Sequence, residues 1–147
     1  MPRQVSVIGS GAEWEAVAEE VGRLLAEQGC VVVTGGLGEV MAAAHRGAKA
    51  AGATTIAILP GERRDAANEW ADHVIVTGVG HARNLAVAAS GEVVIAIGGG
   101  WGTLAEIALA KVLGRPVVAL EGAQRLEGAE LAASPAEAVE LALRHLG

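Results

Sequence analysis

Six short apolar runs recur along the chain, and the intervals between most of them could each hold one helix. The runs lie at 4–8, 30–34, 54–59, 73–77, 92–97 and 116–120. Each is nearly continuous in Val, Ile, Leu and Ala and does not alternate with polar residues. That composition is typical of parallel strands that are covered on both faces. A weaker seventh strand is predicted at 129–132.

The intervening segments carry the spacing of helices. Residues 13–28 place their apolar side chains on one stripe with helical period. Further helices are predicted at 39–51, 81–90 and 102–113, and a last one is expected after Ser134-Pro135, a capping serine followed by a proline. Strand alternating with helix predicts a Rossmann-like, doubly wound α/β fold. We expect one domain over residues 1–147, with helices on both faces of a mainly parallel sheet of six or seven strands.

Composition narrows the class of protein. Hydrophobic residues make up 52% of the chain, yet it has no Phe, no Tyr and three Trp, so the core must consist of small aliphatic side chains. The single cysteine excludes an internal disulfide. The net charge of −6 offers no basic surface for nucleic acid, so no nucleic-acid partner is predicted. No apolar stretch is long enough to cross a membrane, and we expect a cytoplasmic protein without a membrane partner.

The glycines fall into two classes. Single glycines stand between a helix and the next strand, where a left-handed residue often ends a helix: Gly29, Gly52, Gly91 and Gly114. Clusters follow the carboxyl ends of strands at 9–11, 34–38, 77–81 and 98–102. Because the carboxyl ends of parallel strands share one edge of the sheet, these clusters predict a binding crevice at that edge.

The last cluster, GGGWG, leads directly into the helix predicted at 102–113. Unpaired amides and the dipole at the amino end of a helix attract anions, most naturally a phosphate. The hydroxyl of Thr103 would either cap the helix or contact the anion, and Trp101 would either stack on a ring or plug the crevice. A tight turn with Thr103 as N-cap is the purely structural alternative. The predicted phosphate- or nucleotide-binding residues are Gly9, Ser10, Gly11, Gly35, Gly36, Gly98, Gly99, Gly100, Trp101, Gly102 and Thr103.

Other ligand motifs are missing from the sequence. A dinucleotide fingerprint would need a third glycine where Trp14 stands and an acid where the second strand ends in Thr34. The Walker and GxSxG motifs are absent, and the four histidines lack metal-ligand spacing. Neither Lys49 nor Lys111 has the setting of a pyridoxal-phosphate lysine. We therefore predict no cofactor and no metal.

Two charged residues fall near the predicted crevice. Glu106 follows GGGWGT, and we place it in the first turn of the helix, with its carboxylate leaning back toward the glycines. Arg83 begins the preceding helix, beyond another strand end. A carboxylate at the amino end of a helix could serve only the dipole, and an arginine could be a surface residue. Their convergence on one edge instead favours a functional site.

These residues resemble those of the LOG ("Lonely guy") phosphoribohydrolases, which are often mislabelled as lysine decarboxylases. That family carries PGGxGTxxE after an arginine in a His-x-Arg context, and this chain has GGGWGTLAE, ending at Glu106, after His81-Ala82-Arg83. TGGLGEVMAAAHRGAKAAG and VIGSG resemble two further family segments, so the likeness extends to about residue 120. The resemblance implies that the 98–103 loop holds a nucleotide 5′-phosphate and that Arg83 and Glu106 act at the ribose and the glycosidic bond. The products would be a free base and ribose 5-phosphate.

Three departures from the family pattern leave a second function open. Gly98 replaces a proline, Asn84 a basic residue and Ala105 an acid, and the chain is short. In this it is more similar to the compact bacterial branch that includes the molybdenum cofactor carriers, which hold a phosphorylated pterin without chemistry. The two hypotheses are therefore a nucleoside 5′-monophosphate phosphoribohydrolase and a non-catalytic carrier. The resemblance also implies a homodimer or homotetramer, with Ala-rich helix faces as its interface.

Overall fold

The computed structural model describes residues 1–120 and 128–147. The strands in these ranges are β1 (Gln4–Ser10), β2 (Val31–Thr34), β3 (Thr55–Leu59), β4 (His73–Val76), β5 (Val93–Gly98), β6 (Val117–Leu120) and β7 (Glu130–Ala132). The α-helices are α1 (Glu15–Glu27), α2 (Glu39–Ala50), α3 (Arg83–Ser90), α4 (Trp101–Val112) and α5 (Pro135–His145). All six strands of the continuous apolar runs and the weaker seventh strand are confirmed. Bounds differ from prediction by one or two residues.

The strands form one sheet with the order β4-β3-β2-β1-β5-β6-β7, and every neighbouring pair is parallel. The direction of winding reverses between β1 and β5, where Ser10 pairs with Gly98 at the carboxyl end. The predicted doubly wound fold is confirmed. Ligands of such folds bind where the strand order reverses. The topology therefore predicts a ligand site at the loops after β1 and β5.

Two buried clusters cover the two faces of the sheet. Alternate residues of β5 belong to different clusters: Val93, Ile95 and Ile97 pack with α1, α2 and α5, whereas Val94 and Ala96 pack with α3 and α4. Each residue of β5 is therefore covered from one side or the other. This explains why the strands read as continuous apolar runs.

Helices α1 and α2 pack unusually close, because each has a glycine at the contact. A Cβ atom added at Gly22 would overlap the carbonyl oxygen of Ala44, and one added at Gly47 would overlap that of Glu19. Both are interior helical glycines, which normally weaken a helix. Here their missing side chains let the two backbones touch, and the sequence analysis did not identify them.

Three of the four single glycines have the predicted left-handed backbone. Gly29, Gly52 and Gly114 have φ of 75°, 84° and 73°. The prediction is wrong for Gly91, whose φ of −86° is open to any residue. Its Cβ atom would overlap the side chain of Ser6, so a close approach of the backbone to β1 accounts for this glycine.

No helix in residues 1–120 and 128–147 is long and apolar enough to cross a membrane.

Candidate functional site

A cavity of about 330 Å³ lies at the carboxyl ends of β1 and β5, where the winding reverses. It is lined by Gly9, Ser10, Met41, His81, Arg83, Asn84, Gly100, Trp101, Gly102, Thr103 and Glu106. These residues come from the carboxyl end of β1, from the segment that leads into α3, and from the amino-terminal parts of α2, α3 and α4. The predicted edge of the sheet is therefore the edge at which the cavity lies.

The amino end of α4 opens into this cavity without a side-chain cap. The helix begins at Trp101, and its N-cap is Gly100, which has no side chain to bond the first amides. The first intrahelical bond runs from the amide of Leu104 to the carbonyl of Gly100, at 3.0 Å. The amides of residues 101–103 therefore have no partner within the helix. Thr103 is the third helical residue, so its predicted alternative role as N-cap is wrong.

Glycines shape the loop after β5 in two ways. Gly98 and Gly99 have φ of 60° and 116°, and an added Cβ atom would overlap the ring of Trp14 at the first position and Thr103 at the second. Neither residue lines the cavity; they form the turn that directs the chain into α4. At Gly100 and Gly102, by contrast, an added Cβ atom would meet nothing within 4 Å. These two leave open the space in front of the helix.

The carboxyl end of β1 is positioned by a tight contact with β5. Gly9 has a φ of 140°, and an added Cβ atom would overlap the carbonyl oxygen of Ile97 on β5. The contact brings Gly9 and Ser10 into the cavity wall. Gly11, with a φ of 114°, begins the turn into α1 and does not line the cavity.

Arg83 is a buried cation at the start of α3. Only 7% of the residue is exposed, and its Nε atom has no hydrogen-bond partner among residues 1–120 and 128–147. Its guanidinium packs directly against the backbone of Gly35, so close that a Cβ atom added at Gly35 would overlap Nη1. Burial lowers the pKa of Arg83 from its usual value, and the carboxylate of Glu106 opposes that effect. The guanidinium is thus held as a cation with unused donor capacity.

Glu106 is a buried carboxyl with an unused oxygen. It lies in the second turn of α4, not in the first as predicted, and it is 3% exposed. Its Oε2 atom has no hydrogen-bond partner in the part of the chain that the structure describes. Burial raises the pKa of Glu106 to about 7, although the nearby charge of Arg83 acts in the opposite direction. At neutral pH this side chain can therefore both donate and accept a proton.

Trp101 projects into solvent at the rim of the cavity. It is 87% exposed. The predicted alternative in which this side chain plugs the crevice is therefore wrong, and its ring face is free to stack on a ligand.

Eight of the thirteen predicted site residues line the cavity: Gly9, Ser10, Arg83, Gly100, Trp101, Gly102, Thr103 and Glu106. The other five shape the loops or lie behind the wall: Gly11, Gly35, Gly36, Gly98 and Gly99. The sequence analysis did not assign Met41, His81 and Asn84 to the site. His81 ends the glycine cluster at 77–81, and Met41 and Asn84 each lie three residues beyond a cluster. Including every residue of each cluster and extending it into the helix behind it would have found all three. Within the described residues, no group of three or more His, Cys, Asp or Glu side chains could hold a metal ion.

Comparisons with known proteins agree with this architecture. An uncharacterized protein of Archaeoglobus fulgidus is 43% identical over 139 residues, which are 92% of this chain and 91% of that protein. The molybdenum cofactor binding protein of Rippkaea orientalis has a similar structure, with a TM-score of 0.93, 34% identity and coverage of 100% of this chain and 99% of that one. The molybdenum cofactor carrier protein of Chlamydomonas reinhardtii gives a TM-score of 0.89 at 35% identity, over 99% of both chains.

The model of the SLOG cluster4 family matches residues 2–143, nearly the whole chain. The match includes the loops after β1 and β5 and both buried charged residues. The resemblance drawn from the glycine motifs is therefore confirmed: the chain belongs to the SLOG cluster4 family.

Proposed function

We propose that this protein binds and carries a phosphorylated pterin of the molybdenum cofactor type, with the phosphate at the amino end of α4. The observation that carries the proposal is the uncapped start of this helix, which opens into a cavity of about 330 Å³. Three amides without a partner in the helix, the helix dipole and the buried cation of Arg83 all favour an anion there. Trp101, at the rim, offers an aromatic face to a ring.

The comparisons support the carrier hypothesis over the enzyme hypothesis. Two proteins that match over at least 99% of this chain are described as binding or carrying the molybdenum cofactor. The departures from the LOG pattern at Gly98, Asn84 and Ala105 point the same way. In a carrier, Arg83 and Glu106 would hold polar groups of the ligand without breaking a bond.

Calorimetry tests the carrier hypothesis. Inorganic phosphate, a phosphorylated pterin and the same pterin without its phosphate are titrated into the protein. We expect the phosphorylated pterin to bind most tightly, and the unphosphorylated pterin at least about tenfold more weakly, because charge-assisted hydrogen bonds are worth about 1.5–3 kcal/mol. Equal affinity for both pterins would contradict a phosphate site at α4.

A second candidate, the nucleoside 5′-monophosphate phosphoribohydrolase, rests on the protonation state of Glu106. A carboxyl with a pKa of about 7 and an unpaired oxygen in the cavity wall is suited to general acid–base work. As the N-glycosidic bond breaks, the electron pair leaves with the base and positive charge develops on the ribose. Glu106 would stabilise that charge and accept a proton from the attacking water, whose oxygen bonds to the anomeric carbon. The proton would then pass to the departing base, which restores the carboxylate. Arg83 would orient the ribose.

A release assay separates the two candidates. The protein is incubated with AMP, GMP, CMP, UMP and a cytokinin ribotide, and free base is measured. Release that falls by about 10²–10⁴ in Glu106→Gln, with phosphate binding intact, would establish the enzyme. No release from any nucleotide, combined with phosphate-dependent thermal stabilisation, would support the carrier. Equal loss of release and of phosphate binding in Glu106→Gln would contradict the catalytic role of Glu106.

We also propose that the molecule is a homodimer or homotetramer that associates through α4. The solvent face of this helix presents Trp101, Ala105, Ala108 and Val112, and both Trp101 and Val112 are more than four-fifths exposed, at 87% and 83%. Their helical spacing forms an uncharged stripe of small and apolar side chains. Such a stripe permits close contact with a second copy related by a two-fold axis.

Analytical ultracentrifugation tests the association. We expect Ala108→Glu to shift the protein to the monomer, because the change places a charge in the middle of the stripe. Ala136→Glu, at an exposed position of α5, is the matched control and should leave the mass unchanged. An unchanged mass for Ala108→Glu would rule out this interface.

A further inference from the structure

We propose that Asn68 is a positioning residue that fixes the turn at Gly35-Gly36 and, through that turn, the guanidinium of Arg83 at the cavity. The effect on phosphate affinity rests on the proposed function, whereas the effect on the position of Arg83 concerns only residues of this chain. Asn68 lies in the segment between β3 and β4, outside the cavity wall. Neither the glycine motifs nor the family resemblance assigned it a role.

Asn68 holds the turn by hydrogen bonds from its backbone and its side chain. Its amide donates to the carbonyl oxygen of Gly36 at 3.0 Å, and its Nδ2 approaches the same oxygen at 3.4 Å. From the other side, the amide of Gly36 donates to Oγ1 of Thr34 at 3.0 Å. Gly36 has a φ of 79°, and an added Cβ atom would overlap Ala57. Close packing against β3 therefore leaves the backbone of this turn a single conformation.

A buried histidine fixes the orientation of the Asn68 side chain. Nδ2 of Asn68 lies 3.2 Å from Nδ1 of His45, and Oδ1 of Asn68 accepts from the amide of Trp70 at 3.0 Å. His45 is fully buried in α2, and burial lowers its pKa to about 4. The neutral ring therefore accepts a hydrogen bond through Nδ1 at physiological pH. Every polar group of the Asn68 side chain has a partner, which leaves it one amide orientation.

The turn at Gly35-Gly36 also limits the position of the Arg83 side chain. The guanidinium packs against Gly35 so closely that a single added methyl group would overlap Nη1. A shift of the Gly35 backbone by a few tenths of an ångström would therefore move the guanidinium or open a gap beneath it. Because phosphate recognition by arginine depends on the geometry of its donors, such a shift should weaken binding although Asn68 itself does not touch the ligand.

The experiment compares two substitutions that remove side-chain hydrogen bonds from the same segment. Asn68→Leu removes the side-chain bonds to Gly36, His45 and Trp70 without adding a charge, and it leaves the bond from the backbone amide to Gly36 in place. Thr55→Val is the matched control. Oγ1 of Thr55 donates to the carbonyl of Trp70 at 2.5 Å and accepts from the backbone amide of Asp72 at 2.9 Å, but it does not contact the turn at Gly35-Gly36. Both variants are expected to melt at lower temperature than the wild type.

Phosphate affinity and its coupling to Arg83 are then measured by calorimetry. We expect Asn68→Leu to weaken phosphate binding about tenfold, or about 1.4 kcal/mol, and Thr55→Val to change it less than about twofold. In the background of Arg83→Gln, the Asn68→Leu change should have less than about a twofold effect, because the contact through which it acts has gone. A full tenfold effect in that background would overturn the proposal.

A second readout does not depend on a ligand. The Nε–H resonance of Arg83, assigned by its loss in Arg83→Gln, is followed by nitrogen-15 NMR in each variant. Positioning predicts that it shifts and exchanges faster with solvent in Asn68→Leu and stays unchanged in Thr55→Val. An unchanged resonance in Asn68→Leu would overturn the positioning role. If the wild type binds no phosphate, the proposed function fails, and this resonance still decides the role of Asn68.

Discussion

Replacing Glu106 by glutamine should stabilise the protein increasingly as the pH rises from 5 to 8. Glutamine has nearly the shape of the protonated carboxyl but cannot ionise. In the wild type the folded state must accept a buried charge above neutral pH, and the nearby cation of Arg83 offsets only part of that cost. The unfolded chain ionises the same group in water at little cost, so ionisation favours unfolding.

The size of the effect follows from the pKa of Glu106. Its pKa rises from the usual 4.5 to about 7 in the folded state. Between these two values the folded state holds a proton that the unfolded state has lost, so the stability that protonation confers declines as the pH rises and is lost above about 7. At 1.36 kcal/mol for each pKa unit, the full difference is about 3 kcal/mol. Most of it, about 2–3 kcal/mol, should develop between pH 5 and pH 8.

Urea denaturation at pH 5, 6, 7 and 8 measures the free energy of unfolding of the wild type and of Glu106→Gln. The buffers must lack phosphate and sulfate, since an anion bound near α4 would add its own stabilisation. Subtracting one curve from the other removes the contribution of all other titrating groups. Glu69→Gln, at an exposed position, is the control and should show a difference that is independent of pH.

The reasoning would be refuted by a Glu106→Gln difference that stays constant from pH 5 to 8, or by one that shrinks as the pH rises. Either result would mean that Glu106 is already ionised at pH 5 in the folded protein. Its carboxylate would then be paired with Arg83 strongly enough to offset burial, and the proton needed for acid–base work would be missing.

Three glycine substitutions test separate parts of the site and the fold. Gly100→Asp should fold normally, because its side chain meets open space. It should weaken phosphate binding at least about tenfold in calorimetry, since it places a carboxylate at the amides that begin α4; unchanged affinity would place the anion elsewhere. Gly35→Ala should give a similar loss by displacing Arg83 while circular dichroism stays native, and wild-type affinity would show that the guanidinium is not needed. Gly22→Ala should cost about 1–3 kcal/mol in urea denaturation by overlapping the carbonyl of Ala44, with affinity unchanged; a stability equal to the wild type would contradict the close packing of α1 on α2.

The positions of the strands and of the crevice could be predicted because their signals are local. A buried parallel strand is apolar throughout, a helix repeats every 3.6 residues, and glycine clusters mark the turns between them. The rule that such turns share one edge then brought together the loops before Trp14 and after Ile97, although these lie far apart in the chain. The fold class, the sheet and eight residues of the cavity wall follow from these signals.

The sequence misplaced details in which no side chain gives a local signal. Gly100 caps α4 without a capping side chain, so Thr103 was the only visible candidate for that position. The helix begins at Trp101, one residue before the predicted start, and Glu106 is its sixth residue and lies in its second turn. The dipole explanation for Glu106 weakens accordingly, because the influence of the helix end fades within the first turn.

By itself, the sequence determined a doubly wound sheet with bare glycine turns at one edge, because periodicity and turn chemistry act between neighbours in the chain. Tertiary packing alone decided what those turns can do. It buried Glu106 and so raised its pKa, laid Arg83 over Gly35, and joined Asn68 to Gly36 across 32 residues of chain. Burial and long-range contact depend on how distant elements fit together, and that fit has no signature in any short stretch of residues.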